Sequence, residues 1–242
     1  MEPIPLSTAR KDRHINVNEI FGPTIQGEGI HTGYRVGFLR LAGCNLSCSW
    51  CDTPYSWDWE RYDRNEESHK MLISEVAEQL KAMQVDRLVL TEGEPMMQQW
   101  AFKDIQAATG MKIDIETNGT RTPTAEAEAA VDMFCVSPKL AHGGDPEERR
   151  IVLPALKRFA ELASEGKAMF KFVAQSEEDF PQIENLIELA GIPNNAVWIM
   201  PEGANPIRHM ETTHRIADAV IERGWNLSMR LHLLIWNTER KH

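Results

Sequence analysis

Residues 35–53 read RVGFLRLAGCNLSCSWCDT, an aliphatic run that ends at a glycine and passes directly into three cysteines. The run 35–42 has the composition of a strand buried on both faces. Similar runs recur at 87–91, 112–117, 132–137, 169–174, 196–200 and 226–232. Between them, 74–83, 179–189 and 212–223 carry apolar residues at helical spacing, which predicts helices packed on a core. Ser74 stands as the expected cap of the first, and Asp179, followed by Pro181, as that of the second. Strands alternating with helices predict an α/β fold around a parallel sheet.

Chemically distinctive residues follow these strands: Cys44 after the first, 92–95 after the second, Asn118 and Gly119 after the third, Pro138 and Lys139 after the fourth. Polar groups gathered at the carboxyl ends of parallel strands are the active rim of a barrel or partial barrel. No linker rich in Gly, Ser or Pro interrupts the 242 residues, so the expectation is a single domain over 1–242. The chain has 26 Lys and Arg against 36 Asp and Glu, a formal charge of -10, which argues against diffuse attraction to nucleic acid or to an anionic membrane. The polar N-terminus lacks the apolar core of a signal peptide, and no stretch nears the roughly 18 apolar residues of a spanning helix. A cytoplasmic protein is expected.

Three of the four cysteines lie in AGCNLSCSWCDT at the spacing Cys-x3-Cys-x2-Cys, close enough to converge on one inorganic centre. A structural zinc site is normally closed by four ligands, and His31, His69 and Cys135 stand at no familiar zinc spacing. Cys135, inside MFCVS, reads as a buried core thiol. A 4Fe-4S cluster held by Cys44, Cys48 and Cys51 would keep one iron open for the amino and carboxylate groups of S-adenosylmethionine (SAM).

With Trp50 just before the last cysteine, this spacing resembles the signature of the radical SAM superfamily. TEGEP, at 91–95, resembles the superfamily's Gly-Gly-Glu-Pro motif, in which the backbone and the side chain of Glu94 would bind the SAM amino group. Glu92 replaces the usual first glycine. EIFGPTIQGEG, FLRLAGCNLSCSWCDT, IETNGT, CVSPK, IMPEG and LSMRLHLLIWN, in that order, are similar to the 7-carboxy-7-deazaguanine synthases of queuosine and 7-deazapurine biosynthesis.

That resemblance implies a partial, modified TIM-type (β/α)6 radical SAM barrel with an N-terminal substrate-binding extension at about 15–34. It implies a carbon-nitrogen lyase that contracts 6-carboxy-5,6,7,8-tetrahydropterin to 7-carboxy-7-deazaguanine with release of ammonia. It implies magnesium at Thr53, and SAM against Trp50, Cys51, Asp52, Gly93, Glu94, Glu116, Asn118, Ser137, Pro138, Lys139, Met200, Pro201, Glu202 and Gly203. The pterin would meet Ile25, Gln26, Gly27, Arg40, Thr91 and His232. Arg40, charged within a buried strand, needs an anion, either the substrate carboxylate or a neighbouring acid; the glycines around Gln26 are also those of a plain hairpin turn. An external flavodoxin- or ferredoxin-like electron donor and a homodimer are further expectations. A glycyl-radical activating enzyme would share the cysteine spacing, without explaining QGEG, Arg40 or LHLLIW, and a zinc-binding module without catalysis is the non-enzymatic alternative.

Overall fold

A computed structural model describes residues 13–241. Its nine strands are β1 (His14–Ile25), β2 (Arg35–Leu41), β3 (His69–Leu72), β4 (Arg87–Thr91), β5 (Lys112–Thr117), β6 (Met133–Val136), β7 (Ala168–Ala174), β8 (Val197–Pro201) and β9 (Asn226–Leu227), in the sheet order 3-1-2-4-5-6-7-8-9. From β2 to β9 each neighbouring pair is parallel, and β1 joins β2 and β3 antiparallel. Six full parallel strands, β2 and β4 to β8, form the expected (β/α)6 partial barrel.

The helices are α1 (Arg64–Glu67), α2 (Ile73–Ala82), α3 (Phe102–Thr109), α4 (Ala125–Ala130), α5 (Glu147–Arg150), α6 (Leu153–Ser164), α7 (Phe180–Ala190), α8 (Pro206–Glu222) and α9 (Leu231–Trp236). The longer ones turn an apolar stripe to the sheet, as Phe159 of α6 does against Phe134 of β6, with ring centroids 5.4 Å apart and both side chains fully buried. β7 is buried along its whole length, the mark of a central strand covered on both faces.

Three expectations need correction. The strand expected over 226–232 ends after two residues, and LHLLIW is α9. The reason lies in the backbone: Ser228 N–H still reaches the sheet at Ile199 O, but Arg230 N–H donates to His209 Nε2 and Leu231 N–H to Gly27 O. A short apolar run cannot be told from a helix by periodicity alone. Secondly, residues 14–25 form a strand, lying between β3 and β2, that the sequence reading left out; the alternation in HINVN, with Ile15 and Val17 buried, was its signal. Thirdly, α2 starts before Ser74, with Glu75 accepting from Leu72 N–H at 3.0 Å. Asp179 accepts from Gln175 N–H, while Ser176 caps the short turn that leads into α7. Residues 1–12 and 242 of the expected 1–242 domain lie outside the described residues.

Phe134→Ala should lower unfolding free energy by about 3–5 kcal/mol, because the cavity opens between a strand and a helix that cannot both collapse onto it. Urea denaturation measures this; a loss below about 1 kcal/mol would contradict the packing described.

Candidate active site

Cys44, Cys48 and Cys51 leave β2 on a loop with little regular structure of its own, and neighbouring elements hold it in place. Asp145 accepts from Ser47 N–H at 2.8 Å and from the Ser47 hydroxyl at 3.0 Å. Asn45 donates to Thr120 Oγ1 and accepts from Asn118 Nδ2. Several N–H groups point at the sulfurs: Leu46 N at 3.4 Å from Cys44, Trp57 Nε1 at 3.3 Å from Cys51, and Asn118 Nδ2 at 4.0 Å from Cys44. Burial pushes the Cys44 thiol up to about 12 and also raises Cys48. A metal bound there would supply the positive charge that favours the thiolates.

The turn after β4 meets this loop without side chains between them. A Cβ on Gly93, whose φ is +52°, would lie 2.2 Å from the Gly43 carbonyl oxygen. That same oxygen accepts Glu94 N–H at 2.8 Å, and Ser56 ties both segments, its carbonyl to Gly43 N–H and its hydroxyl to Gly93 N–H. Glu94 then spans to the next strand end. Its carboxylate accepts from Met96 N–H, the Thr117 hydroxyl and Asn118 N–H, at 2.9, 2.7 and 2.7 Å. Sequence reasoning assigned Glu94 to SAM; in this structure its side chain is buried, makes these three hydrogen bonds within the protein and is not among the cavity-lining residues. Pro138, likewise assigned to SAM, is buried beside the cavity but not among its lining residues.

A cavity of about 770 Å³ opens over the loop. Cys44, Cys48 and Cys51 line it together with Trp50, Asp52, Thr53, Gly93, Asn118, Ser137, Lys139 and Met200 through Gly203. Ile25, Gln26, Gly27, Arg40, Thr91, Glu116 and His232 line it as well. Strand register accounts for part of this convergence, since Arg40 is paired with Thr91 across β2 and β4. Gln26 Nε2 and the Thr91 hydroxyl both donate to Glu116, at 3.1 and 2.8 Å. Glu116, expected with the SAM residues, therefore shares a hydrogen-bonded wall with two residues expected to meet the pterin. The 26–34 loop does join antiparallel strands as a hairpin connection, but Gly27 also has a packing role. A Cβ there would fall 2.0 Å from His232 Nδ1.

Arg40 already has anions. It donates to Glu19 Oε2 at 2.8 Å and to the Tyr55 hydroxyl at 2.9 Å, and its Nε lies 3.0 Å from Glu92 Oε1. Glu19 and Glu92 are neighbouring acids of the kind the sequence allowed. Glu92 has φ +66° where glycine is usual. Burial pushes its carboxyl up to about 8, against the pull of Arg40.

Three further residues escaped the sequence reading: Glu28, Lys171 and Arg230. Lys171 Nζ donates to Glu28 Oε2, and Arg230 bridges Glu28 at 3.0 Å and Asp52 at 2.5 Å. Burial alone would raise the Glu28 carboxyl, but Lys171, then Arg230 and His232, hold it well below the usual 4.5. Burial lowers His232, which favours its neutral form. Glu28 stood inside QGEG and could have been found there; Lys171 reads as a buried strand residue with no motif.

The donor set suits an iron-sulfur cluster: three thiols line the same cavity, N–H groups face two of the sulfurs, and the lining offers no fourth thiol. Cys135 sits on β6, is not among the cavity-lining residues and has its thiol pushed up to about 12 by burial, as a core thiol should.

Gly93→Ala must push the cluster loop from the β4 turn, so iron incorporation and SAM affinity should each fall at least about tenfold, by iron assay and equilibrium titration; wild-type values for both would contradict the contact. Glu28→Gln strips a buried lysine of its carboxylate and should cost about 3–5 kcal/mol at pH 7. Because the folded-state value of Glu28 is depressed, its contribution is present above pH 4.5 and is lost as pH falls below that. The gap between variant and wild type in denaturant melts should therefore narrow in acid; a pH-independent gap would contradict the pairing.

The description "Radical SAM superfamily" matches residues 39–152. The chain is 36% identical over 230 residues to a 7-carboxy-7-deazaguanine synthase of Pyrobaculum aerophilum, covering 93% of this chain and 96% of that one. A 7-carboxy-7-deazaguanine synthase of Hyperthermus butylicus is 32% identical over 243 residues, covering 95% and 97%. The crystal structure of QueE from Escherichia coli shares the fold, with a TM-score of 0.68 at 24% identity over 90% of this chain and 95% of that one. Likeness at this identity over more than nine-tenths of both chains makes the chain a member of the 7-carboxy-7-deazaguanine synthase family, within the radical SAM superfamily.

Proposed function

We propose that the chain is a 7-carboxy-7-deazaguanine synthase, contracting 6-carboxy-5,6,7,8-tetrahydropterin with loss of ammonia. One observation carries the reading: a single cavity is lined both by the three cysteines and by the polar wall of Gln26, Thr91 and Glu116. Bound SAM and the reduced 4Fe-4S cluster supply the radical that removes hydrogen from C6 of the pterin.

The protein's part is placement. Cys44, Cys48 and Cys51 hold the cluster, and Trp50, Asp52, Gly93, Asn118, Ser137, Lys139 and residues 200–203 receive SAM. Asn118 stands between Cys44 and Asn45, so its position is set by the cluster loop itself. Gln26 offers both a donor and an acceptor to the pterin amide edge, and its link to Glu116 orients it before substrate arrives. His232, packed on Gly27, closes the same side. Residues 15–34 act as the substrate-binding extension of one core domain, since β1 ends where Ile25, Gln26 and Gly27 reach the cavity.

Arg40 faces the substrate carboxylate while tied to Glu19 and Glu92. Its charge is thus already shared, so attraction of that carboxylate calls for a second positive charge, which magnesium beside Thr53 supplies. The protein works in the cytoplasm as a homodimer and takes electrons from a flavodoxin- or ferredoxin-like partner; among the described residues no helix is long and apolar enough to cross a membrane.

Anaerobic incubation of the cluster-loaded protein with SAM, a reductant and the carboxylated pterin should yield 7-carboxy-7-deazaguanine by mass detection. SAM cleavage without that product would discard the substrate and keep the cluster chemistry.

A further inference from the structure

Glu92 stands out within the site. It occupies a left-handed backbone position, φ +66°, that favours glycine, so its side chain is kept at a conformational cost. The side chain is only 9% exposed. Its Oε1 meets Arg40, which also donates to Glu19, a carboxylate that Arg240 shares. Its Oε2 is buried without any hydrogen-bond partner, while the residue lines the cavity. Thr53 and Asp52 line the same cavity, Thr53 near enough to favour the charged form of this carboxyl and Asp52 near enough to oppose it.

A buried carboxylate oxygen without a donor is costly unless a cation takes that place. Oxygen from one carboxylate and one hydroxyl, with room for water and a substrate carboxylate, is the ligand set of a small hard divalent ion. We propose that Glu92 is a second protein ligand to the magnesium ion read at Thr53, so that this chain binds the ion before the pterin arrives. The inference rests on the Thr53 reading and extends it: the substrate then adds its carboxylate to a preloaded cation beside Arg40.

The test uses Mn2+ as the probe, followed by the loss of its free-ion electron paramagnetic resonance signal, on oxidised cluster-loaded protein without pterin. Wild type should bind one equivalent, displaced by excess Mg2+. Glu92→Gln and Glu92→Gly should each weaken binding by at least about tenfold. Glycine relieves the backbone at this position, so E92G keeps the fold, with iron content and SAM affinity as the check. Thr53→Ala separates the two readings. Weakening by T53A with neither Glu92 variant changed overturns the proposal and leaves Thr53 in place; no change in any variant overturns both. Failure of the wild type to bind Mn2+ without pterin also overturns the proposal.

Discussion

The site depends on an approach of two backbones with no side chain between them. Gly93 lies so close to the Gly43 carbonyl that a single added carbon would fall 2.2 Å from it, and the same carbonyl accepts the Glu94 amide. A loop carrying three cysteines has little reason to hold a shape by itself, because its own hydrogen bonds are few and its strand ends at Leu41. Docking it on the next strand's turn transfers the rigidity of the sheet to the sulfurs. Glu94 passes that rigidity on to Thr117 and Asn118 at the end of β5. Three consecutive strand ends of the barrel are thus set relative to one another before any cofactor binds, which is the preorganisation that radical chemistry in a dry cavity requires.

Charge within the cavity is arranged in pairs that share members. Glu28 serves Lys171 and Arg230, Arg230 also reaches Asp52 next to the last cluster cysteine, and Arg40 lies between Glu19 and Glu92. Such networks cost more in desolvation than well-packed apolar groups of the same volume would. Their persistence around one cavity fits a site built to receive a polar, charged ligand and not simply a stable core. They also connect distant segments: Glu28 follows β1, Lys171 lies on β7, and Arg230 precedes α9, so this side of the cavity is held by segments far apart in the chain.

Much of this was legible in the residues because it is local. The six parallel strands announce themselves as aliphatic runs, and the cysteine spacing specifies a cluster without regard to what surrounds it. What escaped is long-range. Lys171 resembles any strand residue until β7 sets it against Glu28, and which acids would meet Arg40 was not legible until Glu19 on β1 and Glu92 after β4 came beside it. Glu94 matched a motif, yet its three hydrogen bonds go to backbone and hydroxyl groups more than 20 residues away or in its own turn. The strand expected over 226–232 stops at Leu227, and tertiary bonds, Leu231 N–H to Gly27 O among them, turn its last residues into the start of α9. Glu92 was visible as a departure from a motif, while its burial and unpaired oxygen were visible only in three dimensions.

The central claim is a cubane held by three thiolates with one iron open to a sulfonium cofactor. Anaerobic reconstitution followed by electron paramagnetic resonance of the reduced protein, with and without SAM, tests it most directly. About four irons and four sulfides per chain are expected, with a reduced-cluster signal that changes shape when SAM is added. Stoichiometric zinc, or a cluster signal indifferent to SAM, would contradict it.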